Sequence, residues 1–278
     1  MTSRCLDNRW VDYYRPPDPA LDAGAAAWIA PRLVEQFGAV CRTIPAEFDA
    51  YARILHPAAR GGVAQVRWAE GAEANGRIMH ALAQFERIST PAPGHRRPAS
   101  YQDVQAPTTG DLAPDALRAL CAVLGRHTPA AARCRFAVWE GWGELTGAGT
   151  VVSTSSSGPS PLIRRAPSEW QLELRAARFE TPGRAYYLFD GPIDDALRIG
   201  SWATADWFLP RSPNLFWPDD RRWCIATEID FDSTLLGGPT DLINDALRRE
   251  DLEAWPVGPL DSLAWDGDTI NQADQQTT

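Results

Sequence analysis

The sequence predicts an α+β fold, a mainly antiparallel sheet with packed helices and long irregular loops. Segments with helical spacing concentrate in a helix-rich part over residues 23–128. Segments with strand alternation concentrate in an acidic part over 133–265, and no strand–helix–strand rhythm repeats. Two links, residues 90–111 and 146–161, are long and irregular, unlike the short connections of a doubly wound sheet. The chain has 278 residues, 44% apolar and 23% charged, enough for a sizeable core in a single globular domain over 1–278.

In chain order, AGAAAWIAPRLVEQFG reads as a short helix with Trp28, Leu33 and Phe37 near one face. YARIL, residues 51–55, suits either a helix or a strand. WAEGAEANGRIMHALAQFERI reads as one helix weakened by Gly71 and Gly76. LAPDALRALCAVLGRH has Pro114 in its first turn and a stripe of Leu117, Leu120, Cys121 and Leu124, so a helix is expected there. CRFAVWEGWG and AYYLFDGP read as strands, and IDDALRIGSW as a short helix. Residues 223–238, WCIATEIDFDSTLLGG, read as one long strand with a helix behind it over PTDLINDALRREDLEAW. A flexible loop is expected at 146–161 and a disordered tail at 267–278.

All 27 basic residues are arginine. The absence of lysine excludes Schiff-base enzymes, P-loop nucleotidases and protein kinases, each of which places an ammonium at a fixed point. Five scattered cysteines without a CxxC pair argue against a disulfide framework or a zinc ribbon. The net charge of −9 is uneven. Residues 1–139 hold 16 Arg and 13 Asp/Glu, a balance of +3, and the remainder carries −12. An acidic half repels phosphate backbones and attracts a basic partner, so nucleic acid is not an expected ligand. MTSRCLDNRWVDYY has no apolar leader region, and no apolar run reaches the ~18 residues of a membrane span. A cytoplasmic protein without membrane contact is expected.

The glycines Gly141, Gly143 and Gly147 resemble a dinucleotide loop, but a Ser/Gly/Pro-rich stretch follows where a helix N-terminus is needed. Ser153–Ser157 lack a GxSxG context. The four histidines form no metal motif, and the spacing of Cys121, His127 and Cys134 fits no standard zinc site. No cofactor or metal is expected. His56, at the end of an apolar segment, is a candidate acid or base.

Two features stand out. Alternation along residues 224–232 puts Glu228, Asp230 and Asp232 on one strand face, where they repel unless water, arginine, a partner or a cation compensates. Twelve tryptophans are the second. Trp202, Trp207, Phe208, Phe216, Trp217 and Trp223 fall in a Pro-broken segment that reads as irregular, forming either a core or a partner platform. Glu140, between Trp139 and Trp142, is a further carboxylate near aromatics.

FDAYARILHPA, FAVWEGWG, AYYLFDGPIDDAL and SPNLFWPDDRRWCIATEIDFDSTLLGG resemble a family of actinobacterial proteins. The resemblance implies a bacterial cytosolic origin and brings no activity with it. Two functions follow from the residues. One is a non-catalytic protein-binding module, with an immunity or antitoxin role as one concrete form, that offers a basic partner Trp202, Trp207, Trp217, Trp223, Glu228, Asp230 and Asp232. The other is a hydrolase with paired carboxylates drawn from Glu228, Asp230, Asp232, Glu140 and Asp190, with or without His56 or a divalent metal.

Overall fold

The computed structural model describes residues 17–142, 176–204 and 207–272. The expected loop at 146–161, Gly143, Gly147, Ser153–Ser157 and residues 273–278 lie outside them. Fourteen strands are described: β1 (Asp18–Pro19), β2 (Ala50–Leu55), β3 (Ala58–Arg60), β4 (Val63–Val66), β5 (Val104–Gln105), β6 (Cys134–Trp139) and β7 (Arg178–Thr181), then β8 (Arg184–Gly191), β9 (Gly200–Thr204), β10 (Trp207–Pro210), β11 (Leu215–Pro218), β12 (Cys224–Ala226), β13 (Ser233–Gly238) and β14 (Ala254–Val257). The α-helices are α1 (Trp68–Ala74), α2 (Phe85–Ile88), α3 (Pro114–Arg126) and α4 (Thr240–Leu247).

Nine strands form one antiparallel sheet in the order β1-β8-β6-β11-β12-β13-β2-β14, with β7 also paired to β8. The α+β class is as expected. Both faces of the sheet are covered. On one, Leu120 and Leu124 of α3 and Leu242 and Ile243 of α4 pack on Ile54, Phe136, Phe216 and Leu236. On the other, Trp28, Ile29, Val40 and Ile44 pack on Tyr51, Leu215, Trp217 and Leu235. A third cluster around Trp68, Phe85 and Ile88 sits against Leu55 at the end of β2.

The alternation of β2 resolves the ambiguity of YARIL in favour of a strand: Ala52 and Ile54 face the helices, while Tyr51 faces the opposite cluster. The stripe of α3 is buried as expected. Other segments differ. Residues 23–38 form 3-10 turns at Ala23–Ala26 and Ala30–Arg32 rather than a helix, with Pro31 inside the second. The helix expected over 68–88 is broken after Asn75, where Gly76 takes φ +63° and its missing Cβ leaves room for the His95 ring. The helix expected over 239–255 stops at Leu247, and Ala254–Val257 joins the sheet beside β2.

The Trp-rich segment is not irregular. It supplies β9, β10 and β11, and Pro210 and Pro218 sit at strand ends, where a missing N–H costs little. The tail is also ordered as far as it is described. Asp268 is fully buried and accepts hydrogen bonds from His80 Nε2 at 2.9 Å, from the backbone of Gln84 and from the backbone and side chain of Asn271. Burial pushes its carboxyl pKa up, but these donors outweigh burial and hold it at about 2. Residues 267–272 are therefore a fixed strap rather than a disordered tail. Its polar composition hid the burial of one carboxylate. Among the described residues, no helix is long and apolar enough to cross a membrane.

Candidate functional site

The long strand expected over 223–238 is a hairpin. β12 ends at Ala226, the chain turns through Glu228–Phe231 (Phe231 N–H to Glu228 O, 3.1 Å), and β13 starts at Ser233. The alternation that placed three carboxylates on one strand face therefore does not hold; they lie in the hairpin loop. Gly110, at φ +71°, fits against this turn: a Cβ there would lie 2.7 Å from the Ile229 Cα.

Two arginines from other strands hold the three carboxylates of the loop and leave it one charge negative. Arg184, at the start of β8, reaches Glu228 and Asp230 with Nη2, each at 2.7 Å. Asp232 meets Arg53 of β2, whose Nη2 lies 3.3 Å from Oδ1. Arg53 is 1% exposed. It also donates to Ser233 Oγ and to the carbonyls of Ala81 and Ala83, and it lies 5.3 Å from the Trp68 ring centroid. Burial lowers the Arg53 pKa and raises that of Asp232, and their mutual attraction opposes both shifts.

The remaining candidates are scattered. Glu140 is held by the Arg178 fork at 2.7 and 3.1 Å, which lowers its pKa. Asp190, at the far end of β8, is held by Arg133 and Arg135. His56 is buried, with Nδ1 donating to Thr108 O at 2.7 Å and Nε2 accepting from the Thr234 hydroxyl at 2.9 Å. That arrangement makes it a neutral structural histidine rather than the accessible acid or base considered from the sequence. Trp217 and Trp223, two of the candidate binding rings, are core residues at 1% and 0% exposure, on opposite faces of the sheet. The side chains of Trp202 and Trp207 lie outside those described. Among the described residues, no group of three or more His, Cys, Asp or Glu side chains is arranged to hold a metal ion.

Burial followed by repulsion from Arg53 lowers the His56 pKa from 6.5 to about 4. Below pH 6.5 the unfolded chain takes up a proton that the native protein does not, so stability falls as pH drops toward 4. The expected loss from pH 7 to pH 4 is roughly 3 kcal/mol from this group. Urea titrations of wild type and His56→Asn across this range check it: the variant should show a shallower pH dependence, and equal slopes would contradict the assignment.

The hairpin loop borders a groove of about 430 Å³. Asp230, Asp232 and Arg53 form one side, Glu86 and Arg87 of α2 another, and Phe37 and Trp265 also line it. Sequence reasoning did not single out Phe37 or Trp265 as functional; they are 78% and 77% exposed. Trp265 lies just before the strap, in a segment anchored beside the groove: Leu263 N–H donates to Gly38 O, and Arg87 donates to the carbonyls of Trp265 and Asp268. A second groove, of about 690 Å³, lies between the β3–β4 hairpin and the starts of α1 and α3. Its buried Glu253 is committed to the first N–H groups of α1, at Trp68 and Ala69.

No protein-family model, curated protein or solved structure matches the chain.

Proposed function

We propose that the chain is a non-catalytic protein-binding module that docks a basic partner in the groove beside the hairpin loop, as an immunity or antitoxin-like protein would. The observation that carries this reading is the placement of two largely exposed aromatic rings, Phe37 and Trp265, on the groove that Asp230 and Asp232 line. Exposed aromatics beside fixed charge are the usual anchors of protein interfaces. The net charge of −9 favours a cationic partner. The carboxylates are held by Arg184 and Arg53, so the surface is set before a partner arrives.

One observation favours hydrolysis instead. Asp230 and Asp232 line one groove, and burial raises the Asp232 pKa, as a general acid requires. Against it, the Arg53 guanidinium beside Asp232 favours the ionised carboxylate.

The test is binding of short basic, acidic and apolar peptides to wild type and to Phe37→Ser/Trp265→Ser. Wild type should hold the basic class tighter than about 100 μM, and the double variant should lose it with an unchanged melting temperature. No binding of the basic class, tighter binding of the acidic or apolar class, or equal binding by the variant would overturn the reading.

A further inference from the structure

We propose that the groove between Phe37, Trp265 and Asp232 receives an arginine side chain of the partner protein. This rests on the docking reading above and narrows it to one residue type. The lining supplies three carboxylates, Glu86, Asp230 and Asp232, against two guanidinium groups, Arg53 and Arg87. Both guanidinium groups already make internal bonds. Arg53 donates to Ser233, Ala81, Ala83 and Asp232, and Arg87 to the carbonyls of Trp265 and Asp268. With Arg184 on Asp230 counted, the charges balance, but the groups open to a ligand are carboxylates: Asp230 is 71% and Asp232 23% exposed, whereas Arg53 is 1% exposed.

Asp232 accepts its Arg53 bond through Oδ1, at the long end of hydrogen-bond distance, 3.3 Å. It is a largely desolvated carboxylate, and a second cation would stabilise it. The exposed rings of Phe37 and Trp265 line the same groove. A flat, weakly hydrated guanidinium suits both elements at once: it forks onto a carboxylate and stacks on aromatic faces. An ammonium can do the first but lacks the plane for the second. An anionic ligand would face three carboxylates.

The experiment measures anisotropy of fluorescein-labelled glycine–arginine, glycine–lysine and glycine–citrulline repeat peptides with the full chain. Citrulline keeps the shape of arginine without its charge. The arginine peptide should bind about tenfold more tightly than the citrulline peptide and measurably more tightly than the lysine peptide. Trp265→Ala, which leaves the net charge unchanged, should weaken the arginine peptide about tenfold and abolish its advantage over lysine. Asp232→Asn should weaken it as well. Because Asp232 also supports Arg53, the exposed Trp265 site keeps the test valid if Asp232→Asn does not fold.

Equal affinity for arginine and citrulline, or an arginine affinity unchanged by Trp265→Ala, overturns the proposal. If the arginine and lysine peptides bind equally and both are lost with the groove variants, docking of a basic partner stands and the arginine assignment falls. If no peptide of any kind depends on Phe37 or Trp265, both fall.

Discussion

Replacing Trp217 with alanine is expected to lower the unfolding free energy by about 3–5 kcal/mol, the range for large aromatics removed from a packed interior. Trp217 is 1% exposed on β11, an interior strand between β6 and β12. Its ring meets Trp28 edge-on at 6.0 Å and Phe179 at 6.4 Å, so truncation opens a void between the sheet and the 3-10 turns that cover it. Those turns are tied by their own backbone bonds, such as Ala27 N–H to Gly24 O and Ile29 N–H to Ala26 O, which limits how far they can collapse into the gap. Urea unfolding at neutral pH measures the loss. A change below about 1 kcal/mol would mean that the ring is not in the core.

Arg53→Met is expected to cost a similar ~3–5 kcal/mol for a different reason. Methionine fills much of the same volume, so the cavity term is small. The loss comes from the groups left behind: the Asp232 carboxylate, the Ser233 hydroxyl and the Ala81 and Ala83 carbonyls lose donors in a buried setting. Arg53→Lys should recover only part of this, because one compact ammonium cannot reproduce the planar fork. Thermal and urea unfolding of both variants test it, and near-wild-type stability of Arg53→Met would show that the guanidinium is not the joint between β2, the hairpin and the 81–83 segment.

The sheet strands with clean alternation and the amphipathic stripe of α3 were legible in the sequence, because periodicity records which side meets the core. The turn inside residues 223–238 was not. Thr227, Glu228 and Ile229 continue the alternation of β12 past its end, and the turn at Glu228–Phe231 contains no Gly, Pro or Asn to mark it. The strands in the Trp-rich segment were hidden by prolines, which proved to sit at strand ends rather than to interrupt them. Phe37, Trp265 and the strap escaped notice for another reason: their places depend on contacts between residues more than 170 positions apart, such as Arg87 with Asp268 and Leu263 with Gly38. Local pattern carries no trace of those contacts. The carboxylates at 228, 230 and 232 were visible as a group, whereas their partners Arg184 and Arg53 were not, because pairing across β8 and β2 depends on sheet order.

Hydroxyl-radical footprinting of the full chain, free and with the glycine–arginine peptide, tests the groove as a docking surface most directly. Free protein should be modified at Phe37 and Trp265, with Trp217 and Trp223 protected by the core. Adding peptide should suppress modification at Phe37 and Trp265 alone. Unchanged modification of both rings, or protection confined to the exposed Val63 of the larger groove, would contradict it.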